Sequence, residues 1–174
     1  MRRLILLVIL LKGVMVVSAQ SYKGVKAYAY RQPVVSGVSP KGIVDESGKE
    51  VTTRPKQRSN TWIYVSFPSG VNLIPTEVYI NGVKHEVKID KVTSTPVTFT
   101  SNNILDKSTK ELVPKTTNKV LLLTPVQSVT FTSSSSCLRK KISKNNVVVG
   151  FTVNNKKYYS SQKEIIMLEP AVMQ

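Results

Sequence analysis

Glu77-Val78-Tyr79-Ile80-Asn81-Gly82-Val83-Lys84-His85-Glu86-Val87-Lys88-Ile89 is the stretch that decides the fold class. Its period is two, the period of a strand with one buried face, and Asn81-Gly82 supplies the two positive-φ residues of a type I′ hairpin turn. A two-residue loop pairs Ile80 with Val83 and Val78 with His85. Val78, Ile80, Val83, His85, Val87 and Ile89 then share one face, expected to meet the core. Tyr79, Lys84, Glu86 and Lys88 share the other, expected to be wet. The only His of the chain falls on the apolar side, where it reads as a satisfied or rim histidine.

Outward from this hairpin the same period recurs. Residues 21–31 alternate Val25, Ala27 and Ala29 against Lys26, Tyr28 and Tyr30, and residues 61–67 are rich in β-formers before Pro68-Ser69-Gly70. Between them, residues 32–60 hold three prolines and three glycines, which predicts a long irregular connection with one short strand or hairpin at most. Further strands are expected over 96–100, 119–123, 126–132 and 165–168, with Pro114 and Pro125 as punctuation. Residues 147–153, Asn154-Asn155 and residues 156–160 read as a second hairpin, because Asn tolerates positive φ better than most residues. The run Ser133-Ser134-Ser135-Ser136 offers helix caps, and Leu138 with Ile142 sit at i, i+4, so one short helix is expected near 134–144.

Many short strands with frequent turns and one helix give an all-β, antiparallel β-sandwich, with the immunoglobulin-like arrangement as the expected type. Trp62 in an apolar strand suits the core tryptophan of such sandwiches, although the cysteine pair of true immunoglobulin domains is missing. In architecture the pattern resembles small exported bacterial sandwich proteins, a likeness that carries no catalytic residue across.

Residues 1–19 have the parts of a secretory signal: Arg2 and Arg3, an apolar run interrupted by Lys12, and small residues at Val17-Ser18-Ala19. At 16 residues the stretch from Leu4 to Ala19 is short for a spanning helix, which needs about 20 apolar residues. The expected organisation is a cleaved leader over 1–19 and one β-sandwich domain over 20–174, with no integral membrane span after cleavage. Export to a periplasm, cell surface or extracellular space follows, and the lack of any Asn-x-Ser/Thr sequon favours a bacterial envelope.

The chain of 174 residues carries 25 Lys and Arg against 10 Asp and Glu, a net charge of +15. Three of the basic residues and no acid lie in the expected leader, so the rest keeps 22 against 10, or +12. Such a charge attracts anionic glycans, lipid surfaces or acidic partners, and export disfavours nucleic acid. Two basic segments are the binding candidates: Arg54, Lys56 and Arg58 before the Trp62 strand, and Arg139, Lys140 and Lys141 on the expected helix, joined by Lys156, Lys157, Tyr158 and Tyr159 of the second hairpin. Cations beside aromatic rings hold phosphate, sulfate or carboxylate groups while stacking on sugar rings.

One Cys and one His exclude an internal disulfide, a Cys/His zinc site of four ligands and a cysteine-ligated cluster, so no metal and no cofactor is expected. No P-loop, Gly-x-Ser-x-Gly or dinucleotide fingerprint is present. The expectation is a non-enzymatic exported protein that binds or helps assemble envelope components, whether an anionic polymer, a lipid surface or a partner protein. The alternatives are a structural or adhesin-like subunit associating by strand exchange, which allows a homo-oligomer, and an envelope hydrolase using Cys137 with His85.

Overall fold

The computed structural model describes residues 20–36, 43–44, 47, 50–51, 58–101, 108–130 and 135–173. The expected leader and Arg54 and Lys56 lie outside them. The strands are β1 (Lys26–Ser36), β2 (Ile43–Val44), β3 (Glu50–Val51), β4 (Arg58–Phe67), β5 (Ile74–Ile80), β6 (Val83–Val92), β7 (Val97–Thr100), β8 (Thr109–Val113) and β9 (Lys119–Val129). Then come the helix α1 (Ser136–Lys144), β10 (Val147–Val153), β11 (Lys156–Gln162), β12 (Ile166–Met167) and β13 (Ala171–Met173).

Nine strands form one sheet in the order β11-β10-β5-β6-β9-β4-β1-β12, with β13 also on β1, while β2–β3 and β7–β8 pair separately. The protein is all-β, antiparallel except where β12 and β13 run parallel to β1. The sandwich arises by curling: the strands follow one continuous hydrogen-bonded path, and its two ends approach each other. The Tyr159 N–H donates to the Gln20 carbonyl at 2.9 Å, and the Tyr22 and Tyr158 rings meet edge to face at 5.0 Å.

Alternation builds the concave face. Ala29, Ile63, Val65, Val78, Ile80, Leu123, Val147, Val149 and Phe151 fill it as one buried cluster. Fully burying each of its Val, Ile, Leu and Phe side chains is worth about 1.5–3 kcal/mol, so this cluster is the main apolar driving force of the fold. The convex face is covered twice. Over β1, β4 and β9 lies the β7–β8 hairpin, whose Leu112 and Val113 pack with Tyr30, Tyr64, Val120 and Leu168. The Tyr30 O–H donates to the Leu112 carbonyl at 2.6 Å. Over β5, β10 and β11 lies α1, whose Leu138 packs with Tyr79, Val148 and Tyr159.

Both predicted Asn turns form as read, with φ of 49° at Asn81, 85° at Gly82, 49° at Asn154 and 60° at Asn155. The register of the first is the expected one, Val78 opposite His85 and Ile80 opposite Val83. The wet face assigned to Tyr79 is corrected: this residue is 1% exposed, because α1 lies across that side of β5. Val83 and Ile89, expected in the core, are about half exposed. Trp62 packs half-buried in the cluster under β7–β8 and not in the concave core.

The two strands expected over 119–123 and 126–132 are one strand, β9, running through Pro125. A bulge accommodates the proline: Glu86 pairs with Gln127 and Val87 with Pro125, leaving Val126 as the extra residue, 69% exposed. The ladder between β4 and β9 ends at Ile63 and Leu123, so the two strands part beyond that point. β8 and β13 are additional to the predicted strands. Among the described residues α1 is the single helix, and no helix is long and apolar enough to cross a membrane.

Candidate anion-binding face

The helix and the second hairpin bring four of the basic candidates, Arg139, Lys140, Lys141 and Lys157, to one side of the sheet. Ser135 caps α1, its Oγ accepting from the Leu138 N–H at 3.4 Å, and the helix sequence carries four cations and no acid. Leu138 is buried and Ile142 half-buried against the sheet, which fixes the helix rotation. Arg139, Lys140 and Lys144 are left exposed on the solvent side. Lys141 and Lys144 occupy the last turn, where the helix dipole favours positive charge.

Lys141 is different. It is half-buried, its Nζ donates to the Tyr159 carbonyl at 3.0 Å and stands 5.9 Å from the Tyr159 ring. Burial lowers its pKa, partly opposed by the Cys137 thiol one turn earlier. Lys157 approaches the same ring from the hairpin, its Nζ 5.7 Å from the centroid, and its ammonium is paired with the buried carboxylate of Glu77. Burial lowers the Lys157 pKa as well.

Glu77 is the member that sequence reasoning missed. Its carboxylate accepts from the Tyr79 O–H and from Lys157, and it is 8% exposed. Glu77 and Tyr159 are the cross-strand neighbours of Gly150 on its two sides. A Cβ built on Gly150 would stand 3.0 Å from Tyr159 Cε1 and 3.1 Å from Glu77 Cγ. The lone glycine in an otherwise apolar strand was the available signal, since glycine inside a strand marks a close approach. Burial lifts the Tyr79 hydroxyl to about 12, with Tyr159 adding to the effect, and burial raises Tyr159 too. Tyr79, Tyr159, Glu77, Lys141 and Lys157 thus form a closed polar seat under the helix.

The hairpin alternation separates the remaining candidates. Phe151 and Tyr158 face each other in register and turn to the concave side, where Tyr158 is half-buried against the core. Tyr159 is 3% exposed. Ring stacking on a ligand is therefore closed to Tyr159, and Tyr158 already has Tyr22 at its edge. Lys156 is exposed beside the turn, and Arg58 is exposed at the start of β4, opposite Val34, on a different pair of strands. Lys156, in register with Val153, belongs to the row of Tyr158 and so lies on the other side of the sheet from α1. The solvent face of α1 is cationic and not aromatic: Arg139, Lys140 and Lys144, with Lys157 partly exposed behind them.

Comparison with known proteins finds no matching family model, curated protein or solved structure. The functional reading therefore rests on this geometry.

Cys137 is exposed on the first turn of α1, on the convex side, whereas His85 pairs with Val78 on the concave side. The sheet lies between them, so no thiol–imidazole dyad forms. Among the described residues no three His, Cys, Asp or Glu side chains come together as a metal site.

Proposed function

We propose that this chain is an exported, non-enzymatic binding protein of the cell envelope that holds an anionic polymer or lipid surface against α1. The observation that carries the reading is a helix with four cations and no acid, anchored by Leu138 so that Arg139, Lys140 and Lys144 face solvent. The net charge of +12 beyond the expected leader adds long-range attraction to the same surface. Strand exchange is the weaker alternative, because the outer edge of β1 is already occupied by β12 and β13.

The test is binding of the full chain to vesicles of phosphatidylglycerol and phosphatidylcholine, and to immobilised heparin, at low and high salt. Each lysine near an anionic surface contributes about 1 kcal/mol. Replacing Arg139, Lys140 and Lys144 by Gln is therefore expected to weaken anionic binding by about a hundredfold, since arginine contributes as lysine does and 1.4 kcal/mol is tenfold. High salt shortens the screening length to about 3 Å at 1 M and should abolish it. Binding that survives both high salt and the triple substitution would refute the proposal.

A further inference from the structure

A second place on the molecule has the make-up of a ligand site. The inward-facing rows of the concave face do not stay apolar along their length. On β1 the row runs Ala27, Ala29, then Arg31. On β4 it runs Val65, Ile63, then Thr61 and Ser59, with Arg31 opposite Thr61 and Pro33 opposite Ser59. On β6 the row brings His85, paired with Val78 on one side and Ser128 on the other.

At this end the ladder between β4 and β9 has stopped, and the parted strands leave a cleft of about 510 Å³. It is lined by Arg31, Thr61, His85, Gln127 and Ser128 among polar residues, and by Ile80, Val83 and Val126 among apolar ones. Small-molecule sites run from roughly 300 to 1,000 Å³ and combine an apolar wall with a few convergent polar groups. This cleft has that size and that division.

Its charge is one-sided. No acid lines it. The Arg31 Nε is buried and has no hydrogen-bond partner among the described residues, and a buried polar group of that kind is uncommon. A guanidinium presents its donors as a fixed fork that matches carboxylate or phosphate. Serine and threonine hydroxyls beside it add neutral donors. Burial, and then Arg31, lowers the His85 pKa, so at neutral pH the ring is an uncharged donor and acceptor. The charged groups around His85 are Arg31 from β1, Glu77 from β5, and Lys84 and Glu86 on its own strand; those from β4 and β9 are uncharged. Glu86 is engaged by Gln127, whose Nε2 donates to it at 3.2 Å.

We propose that this cleft binds a small organic anion, with Arg31 and the Ser and Thr hydroxyls holding a carboxylate or phosphate group and Val83, Val126 and Ile80 covering an apolar body. The site is distinct from the cationic face of α1 and takes a discrete molecule instead of a surface.

Because the chain has a single His, its imidazole Cε1–H signal is a one-peak reporter inside the cleft. Phenyl phosphate, benzoate and neutral benzyl alcohol are titrated into the full chain by NMR. Phenyl phosphate and benzoate are each expected to move the His85 signal saturably, and benzyl alcohol is not. Arg31→Gln is expected to weaken both anions at least tenfold. The triple Arg139, Lys140 and Lys144→Gln variant is expected to leave them unchanged, which separates this site from the surface proposed above. If Arg31→Gln loses the dispersed spectrum of the folded chain, Ser128→Leu, which fills the cleft from its rim, carries the test with the same expected loss. A signal that neither anion moves, that benzyl alcohol moves equally, or that moves undiminished in both cleft variants would overturn the proposal.

Discussion

Gly150→Ala is the substitution that most directly tests how the polar seat under α1 is built. The added methyl would meet Tyr159 Cε1 at 3.0 Å and Glu77 Cγ at 3.1 Å, both inside ordinary contact distance. Neither neighbour is free to retreat. Tyr159 is pressed between the sheet and Leu138, and Glu77 is held by Tyr79 and Lys157. Overpacking a filled site costs about 1–3 kcal/mol, while replacing glycine in a strand by alanine returns roughly 0.5–1 kcal/mol. The balance is a loss of about 1–2 kcal/mol, which for a chain of this length lowers the Tm by roughly 2–8 °C. Thermal and denaturant unfolding read it directly. A double-mutant cycle sharpens the test, because Glu77→Ala removes one of the two contacts. In that background the cost of Gly150→Ala should fall by about 0.5 kcal/mol or more. A Gly150→Ala protein as stable as the parent, or a cost unchanged by Glu77→Ala, would show that the crowding is not as the strand register places it.

Two further expectations concern the same region. Tyr79 has a folded pKa of about 12 against 10.0 when unfolded, so its contribution is complete below pH 10 and is lost as pH rises from 10 towards 12. Lys141 and Lys157, lowered by burial, act in the opposite direction. The Tyr79 part is therefore read as the difference between the alkaline stability curves of the parent and Tyr79→Phe, about 2–3 kcal/mol at most, and parallel curves would contradict it. Leu138→Ala removes the one buried side chain of α1. The loss should be about 2–3 kcal/mol, near the low end for core leucines because the helix lies at the surface. Amide exchange should show residues 136–144 losing protection while the β1–β4 ladder keeps its own, and unchanged protection of the helix would count against the anchoring role.

The hairpins were legible in the sequence because Asn-Gly and Asn-Asn impose a local geometry that no neighbour overrides. The helix was legible because Leu138 and Ile142 stand one turn apart. What escaped was decided by contacts between segments distant in the chain. Tyr79 reads as a wet-face residue until one knows that α1, some sixty residues later, lies across it. β9 reads as two strands because Pro125 breaks the pattern, yet the bulge at Val126 lets β6 pair on both sides of it. The basic residues of α1 were legible as a cluster, but their division into exposed Lys140 and seated Lys141 needed the helix rotation. The Arg31 and His85 cleft was hidden in plain alternation. Polar residues continue an inward-facing row, and only the parting of β4 from β9 turns them into a lining.

The parallel strands β12 and β13 have a consequence for the order in which the chain becomes complete. β1 precedes all the strands that pair with it, and β4 covers one of its edges as soon as about forty more residues exist. Its other edge waits for residues 166–173, made more than a hundred residues later. Throughout that interval an eleven-residue strand presents unpaired backbone groups to whatever is nearby. The five residues that finally pair with it are a late clasp of very small area. During its production the chain depends on that clasp arriving before another strand does.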